Sequence, residues 1–250
     1  MIVIVATAAP ARADHWYDDH HRLAHVAVTA TVGLAYIASE TVLKSHLAST
    51  TCRWCNPDGL DVDVRNALRW NNTVRATDLS NLTGYIVTPG FALAVTVAGT
   101  MTRDGALPEV IDDLLPVVDS ALAAEVLVQS TKFAVARQRP GVHFGPPAPA
   151  QLEDNLSFFS AHSASTFAFV TGAAMVARQH HSWAEPYLWT IGYALAATTA
   201  YLRVAADKHY FTDVITGTAV GIGAGLAIPV LEAHAQVVPS GTGVAVVGMF

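Results

Sequence analysis

The chain is poor in charge, in cysteine and in any basic excess. Only 14% of its 250 residues are Asp, Glu, Lys or Arg, against about 25% in an average soluble domain. With 52% hydrophobic residues, that deficit points to membrane insertion or a very apolar helical bundle. The net charge of -6 argues against a nucleic-acid partner, which requires a basic face. Cys52 and Cys55 are the sole cysteines, too few for a zinc site of the usual kind, and no strand–helix context suggests a thioredoxin-type pair. A local disulfide in an oxidising compartment and a pair of free thiols both remain open. No internal repeat or low-complexity block is present. The N-terminus lacks a basic region, although its apolar start and Ala11-Arg12-Ala13 resemble the tail of a secretory signal peptide.

Uncharged runs dominate instead. They span 23–39, 79–102, 155–177, 186–202 and 214–231, and a sixth apolar stretch at about 111–137 is interrupted by Asp119 and Glu125. Each is long enough for a helix, and several approach the ~18–20 residues that cross a hydrocarbon core. The expectation is an all-α, six-helix, multi-pass bundle. Residues 1–22 form a leader or signal-peptide remnant, 23–236 the helical domain and 237–250 a tail. Pro108 suits a helix start, Pro140-Gly141 a helix end, and Pro89 and Pro229 predict kinks. Residues 46–78 read as a polar connector. His15, His20 and His21 offer metal ligands at a spacing that matches no metal motif, so no metal or other cofactor is expected.

Three polar clusters interrupt the apolar pattern, where such groups need partners. In the first, Lys132 and Arg139 lie seven residues apart in Lys132-Phe133-Ala134-Val135-Ala136-Arg137-Gln138-Arg139-Pro140. On one helix they share a face two turns apart, fit to clamp a phosphate or simply to complement the helix dipole. In the second, Ser160 is a natural N-cap before Ala161 and His162, giving either an anion site with a nearby proton donor or a plain cap. The third contains Arg203, His209 and Asp213. If His209 and Asp213 both lie in the first turns of a helix, the carboxylate can orient the imidazole; a helix-start salt bridge is the simpler reading.

In order and spacing, Lys132…Arg139-Pro140, Ser160-Ala161-His162 and Arg203…His209…Asp213 resemble the signature of the type 2 phosphatidic acid phosphatase (PAP2) superfamily. Phe159, Ala161 and Leu202 depart from it, standing where the family has proline, glycine and serine. The resemblance covers residues 114–231 and implies a metal-independent phosphatase. It makes His209 the nucleophile that forms a phosphohistidine, His162 the general acid and base, and Asp213 the support of His209. Lys132, Arg139, Ser160, Ala161 and Arg203 would bind phosphate. The implied partners are a phosphorylated lipid or a small phosphate ester, with membrane lipids around the chain. The implied location is a bacterial-type cell envelope with the site facing the periplasm or exterior. A soluble periplasmic phosphatase, a non-catalytic phosphate-binding protein and a vanadium haloperoxidase are the competing readings.

Overall fold

The protein is described by a computed structural model at residues 15–103, 107–240 and 243–248. The signal-peptide resemblance at Ala11–Ala13 lies outside these residues. The helices are α1 (His15–Thr41), α2 (Lys44–Leu47), α3 (Gly59–Leu68), α4 (Thr73–Leu82), α5 (Thr88–Met101), α6 (Leu107–Val135), α7 (Pro140–His143), α8 (Ala161–Gln179), α9 (Glu185–Tyr187), α10 (Tyr193–Ala205) and α11 (Phe211–His234). The tail forms an antiparallel hairpin, β1 (Ala235–Ser240) with β2 (Gly243–Gly248).

The domain is all-α, as the uncharged runs predict, but its division is finer than six helices. Run 79–102 belongs to one helical stretch, in which a π-helical turn (Thr83–Val87) joins α4 to α5 just ahead of Pro89. A proline removes a backbone donor, and a local change of helical pitch accommodates that loss. Leu188–Gly192 makes a second such turn between α9 and α10. The supposed connector 46–78 is itself largely helical, containing α3 and the start of α4.

The buried centre is α8. Small residues let its neighbours approach closely: a Cβ at Gly221 of α11 would lie 2.2 Å from the Ala164 carbonyl oxygen, and one at Gly225 2.5 Å from Thr171 Cβ. Only glycine permits that contact. Helix α6 packs on the other side, where Gly172 meets Ser120 and Val117. Helix α1 lies along α6, held by a polar ladder: Arg22 to Asp112, His25 and Thr29 to Asp119, and Tyr36 to Glu125. The carboxylates that interrupt the apolar stretch of α6 thus have polar partners on α1.

Among the described residues, three stretches are long and apolar enough to cross a membrane: His21–Thr41, Thr73–Met101 and Phe211–His234. Their outer faces carry exposed large apolar residues, among them Leu34, Ile37, Ile86, Ile215 and Leu231. Hydrocarbon around such faces removes the cost of exposing them to water.

Candidate active site

The site forms where the C-terminal end of α6, the N-termini of α8 and α11 and the end of α10 meet. Helix α6 stops at Val135. Ala136 takes a left-handed φ of 48°, and its amide closes the turn on the Lys132 carbonyl. The following strand-like segment is pinned by the Cys52–Cys55 region: Arg53 N donates to the Ala136 carbonyl, and Gln138 N donates to the Trp54 carbonyl. Cys52 and Cys55 are disulfide-bonded. Lys132 and Arg139 therefore do not share a helix face. Arg139 is extended, at φ -70° and ψ 147°, and caps α7. The backbone turn at Ala136, rather than helical periodicity, sets the direction in which Arg139 leaves α6.

Ser160 caps α8, with its Oγ accepting from Ser163 N and from Ser163 Oγ. Both contacts use the serine oxygen as acceptor, so its own proton is uncommitted. The Ala161 and His162 amides occupy the first turn, where no helical carbonyl precedes them, and such a turn favours an anion. Ala161 is helical; among the described residues, the non-glycine residues with positive φ are Ala136, His181 and Asp207. His162 is buried, with Nε2 3.0 Å from Asn81 Oδ1 and its ring 4.5 Å from that of Tyr85.

The turn after α10 delivers His209. Asp207 adopts φ 59°. Lys208 N and His209 N then fold back on the Arg203 carbonyl. Arg65 holds the Asp207 carboxylate with two bonds of 2.6 Å, and Arg69 adds one of 3.0 Å. His209 precedes α11 rather than lying in its first turn. Its Nδ1 is 2.7 Å from the Ser157 carbonyl, whereas the nearest Asp213 oxygen is 3.6 Å away. The direct orienting contact is thus a backbone carbonyl, not the Asp213 carboxylate expected from i,i+4 spacing. A carbonyl can only accept, so Nδ1 carries the proton and Nε2 keeps its lone pair.

Asp213 acts one step back. Its Oδ2 accepts from Ser157 Oγ at 2.6 Å and from Tyr210 N at 2.9 Å, the latter being half of a capping box. Its Oδ1 meets Arg137 Nη1 at 2.5 Å, and Arg137 Nη2 reaches Asp61 at 2.5 Å. The Arg137 guanidinium is sandwiched between Trp54 and Tyr210, 3.8 and 4.3 Å from the ring centroids. This buried cluster joins the connector, the Ser157 backbone and the start of α11.

Lys132, Arg139 and Arg203 are all buried. Among the described residues Arg203 Nε is buried without a partner, while its Nη1 donates to Ser80 at 2.9 Å. Arg139 is braced by the Glu153 carbonyl at 2.7 Å and carboxylate at 2.8 Å, and Lys44 pairs with the same carboxylate. Burial opposes the charge of Glu153, but Arg139, then Lys44 and Lys132, outweigh it and pull the carboxyl down to about 2. Burial, then the charges of Arg139, Arg203 and Lys132, holds His209 well below 6.5. The same factors, burial first and then Arg203, hold His162 below its ordinary value. His209 is therefore a neutral base near pH 7, within the field of three cations.

Sequence reading missed Arg137, Asp61, Ser157, Asn81, Glu153 and Asp207. Arg137 had a legible signal, as a second arginine two residues before Arg139 in an otherwise apolar segment. The others depend on long-range folding.

The PAP2 superfamily model matches residues 113–235. No curated protein matches the chain. Two solved structures are similar in fold. Aquifex aeolicus LpxE is 22% identical, with a TM-score of 0.46 over 67% of this chain and 90% of its own. The first transmembrane PAP2-type phosphatidylglycerolphosphate phosphatase from Bacillus subtilis is 15% identical, with a TM-score of 0.49 over 86% and 96%.

Proposed function

For this chain, which belongs to the PAP2 superfamily and is a phosphoric ester hydrolase, we propose that it cleaves a lipid phosphomonoester or diphosphate in the membrane through a phosphohistidine at His209. The observation that carries the reading is the neutral, buried His209, oriented through Nδ1 and set among Lys132, Arg139 and Arg203.

The Nε2 lone pair attacks phosphorus as the bond to the leaving oxygen breaks. Lys132, Arg139, the unpartnered Arg203 Nε, the Ser160 hydroxyl and the Ala161 and His162 amides take the equatorial oxygens. Phosphoryl transfer gains most from such positioning and charge stabilisation. The anionic substrate offsets the cation field that keeps His162 neutral, so His162 gains the proton it passes to the leaving alkoxide. It then takes a proton from water, whose oxygen attacks the phosphohistidine and releases phosphate and free imidazole. No step uses a metal.

The surroundings of His162 favour an apolar leaving group. Tyr85, 67% exposed, packs at a tilt against its ring, and Ile86, 64% exposed, follows on a candidate membrane span. A lipid alcohol departing beside these residues stays in contact with hydrocarbon. We place the protein in a bacterial-type envelope membrane, with the site facing the exterior or periplasm, where the Cys52–Cys55 disulfide is stable.

The test is phosphate release from a panel of phosphatidate, polyprenyl diphosphate, lipid A phosphate and soluble esters, with the purified chain in detergent. His209→Ala should abolish turnover, and His162→Ala should lower it by about 10²–10⁴-fold. Vanadate should compete with substrate. Undiminished turnover in His209→Ala would remove the nucleophile, and a preference for soluble esters would remove the lipid assignment.

A further inference from the structure

A second polar cluster lies far from the phosphate site, at the N-terminal end of α1 and the C-terminal end of α11. His25 Nε2 is 2.7 Å from Asp119 Oδ2 and 3.7 Å from Glu232 Oε1. One ligand atom from each of these three residues lies within 4.8 Å of the others. Thr29 Oγ1 donates to Asp119 at 3.0 Å, as a supporting contact does for a metal ligand. The second Glu232 oxygen is buried and has no hydrogen-bond partner among the described residues. The cluster borders a cavity of about 1140 Å³ between α1, α6 and α11, which gives an ion and its water room to enter.

An imidazole and two carboxylates on three separate helices are a suitable donor set for a zinc ion, which takes N and O ligands at about 2.0–2.2 Å. Tetrahedral ligands at that radius stand about 3.4 Å apart, close to the spacing already present. We infer that His25, Asp119 and Glu232 form a divalent-metal site, best matched to zinc, that ties α1 and α11 to α6. The site is structural. At about 1.5 Å per residue along α6, Asp119 is roughly 20 Å from Lys132, too far for the metal to touch the phosphate.

The experiment uses the full chain in detergent. It is loaded with zinc and dialysed against metal-free buffer, then assayed for bound metal by elemental mass spectrometry and for its thermal midpoint. One zinc per chain is expected, with a raised midpoint. The near-isosteric variants Asp119→Asn and Glu232→Gln, which should fold, are expected to bind zinc at least about tenfold more weakly and to lose the midpoint shift. His209→Ala should bind as the parent does. EDTA should lower the parent's midpoint while leaving its initial rate of phosphate release unchanged. Absence of stoichiometric zinc would overturn the inference and leave the three residues as a proton-bridged triad. Equal zinc binding in Asp119→Asn and Glu232→Gln would also overturn it, as would binding that disappears only when His15 and His20 are changed to Ala.

Discussion

Arg137 Nη1 and Asp213 Oδ1 form an ion pair at 2.5 Å in which both side chains are almost fully buried. The same guanidinium holds Asp61. Two carboxylates with one guanidinium between them leave an uncompensated charge when the arginine is removed. Arg137→Ala should therefore cost about 3–5 kcal/mol, the range for breaking a buried pair, and be read as a large fall in denaturation midpoint. Arg137→Lys should rescue little, because a single ammonium cannot serve both carboxylates or stack between Trp54 and Tyr210 as a planar group does.

Ser157 relays this cluster to the His209 imidazole, its hydroxyl bound to Asp213 and its carbonyl to His209. Ser157→Ala keeps the carbonyl but leaves a buried carboxylate oxygen short of a donor, at a cost of about 1–3 kcal/mol. The accompanying loss of kcat should be smaller than that of Asp213→Asn, which also weakens Arg137. Steady-state kinetics of the two variants checks the order. An unchanged kcat in Ser157→Ala beside a large loss in Asp213→Asn would place the carboxylate in direct support of His209.

Much of this arrangement was legible in the sequence, because charged and histidine residues are few and stand out against apolar helices. The uncharged runs marked the helical segments, and Ser160 before Ala161 marked the α8 cap. Fine geometry was not legible where backbone turns override periodicity. Extending α6 through Arg139 follows from counting at 3.6 residues per turn, but Ala136 at positive φ ends the helix earlier. His209 fell outside α11 for a related reason: Asp213 caps the helix at Tyr210. Asp61 and Glu153 carry no local signal, since their partners are distant in sequence.

Asp207 combines two roles that substitution can separate. Its backbone holds a left-handed turn and its carboxylate holds Arg65 and Arg69. Asp207→Ala loses the ion pairs and keeps the strained φ, so it should destabilise by about 3 kcal/mol. Asp207→Gly loses the same pairs but relieves strain worth about 1 kcal/mol. Thermal unfolding should rank parent, glycine variant and alanine variant in falling order. In both variants KM should rise, as His209 follows the turn.

The Glu153 carboxyl, at about 2 in the folded protein against 4.5 ordinarily, makes stability depend on acid. The unfolded chain takes up this proton first. The stabilising contribution is therefore present above about 4.5 and is lost as pH falls towards 2. In Glu153→Gln the thermal midpoint should be lower at pH 7 and decline less between pH 4.5 and the acid limit of the measurement. Parallel curves for parent and variant would show that Arg139 and Lys44 do not hold this charge.

Ala161 stands where the family signature has glycine, and the departure looks like a threat to the phosphate cradle. The structure gives a physical reason to expect otherwise. Ala161 is the first residue of α8, has no left-handed φ and still presents its amide at the helix start. Glycine's freedom is unused in that conformation, so Ala161→Gly should gain no activity and should lose about 0.5–1 kcal/mol through the greater entropy of the unfolded chain. Comparing kcat/KM with the thermal midpoint for this one variant separates the two readings. A several-fold rise in kcat/KM would mean that the alanine methyl crowds the phosphate, whereas a lower midpoint at unchanged kcat/KM fits an anion site that needs the amide alone.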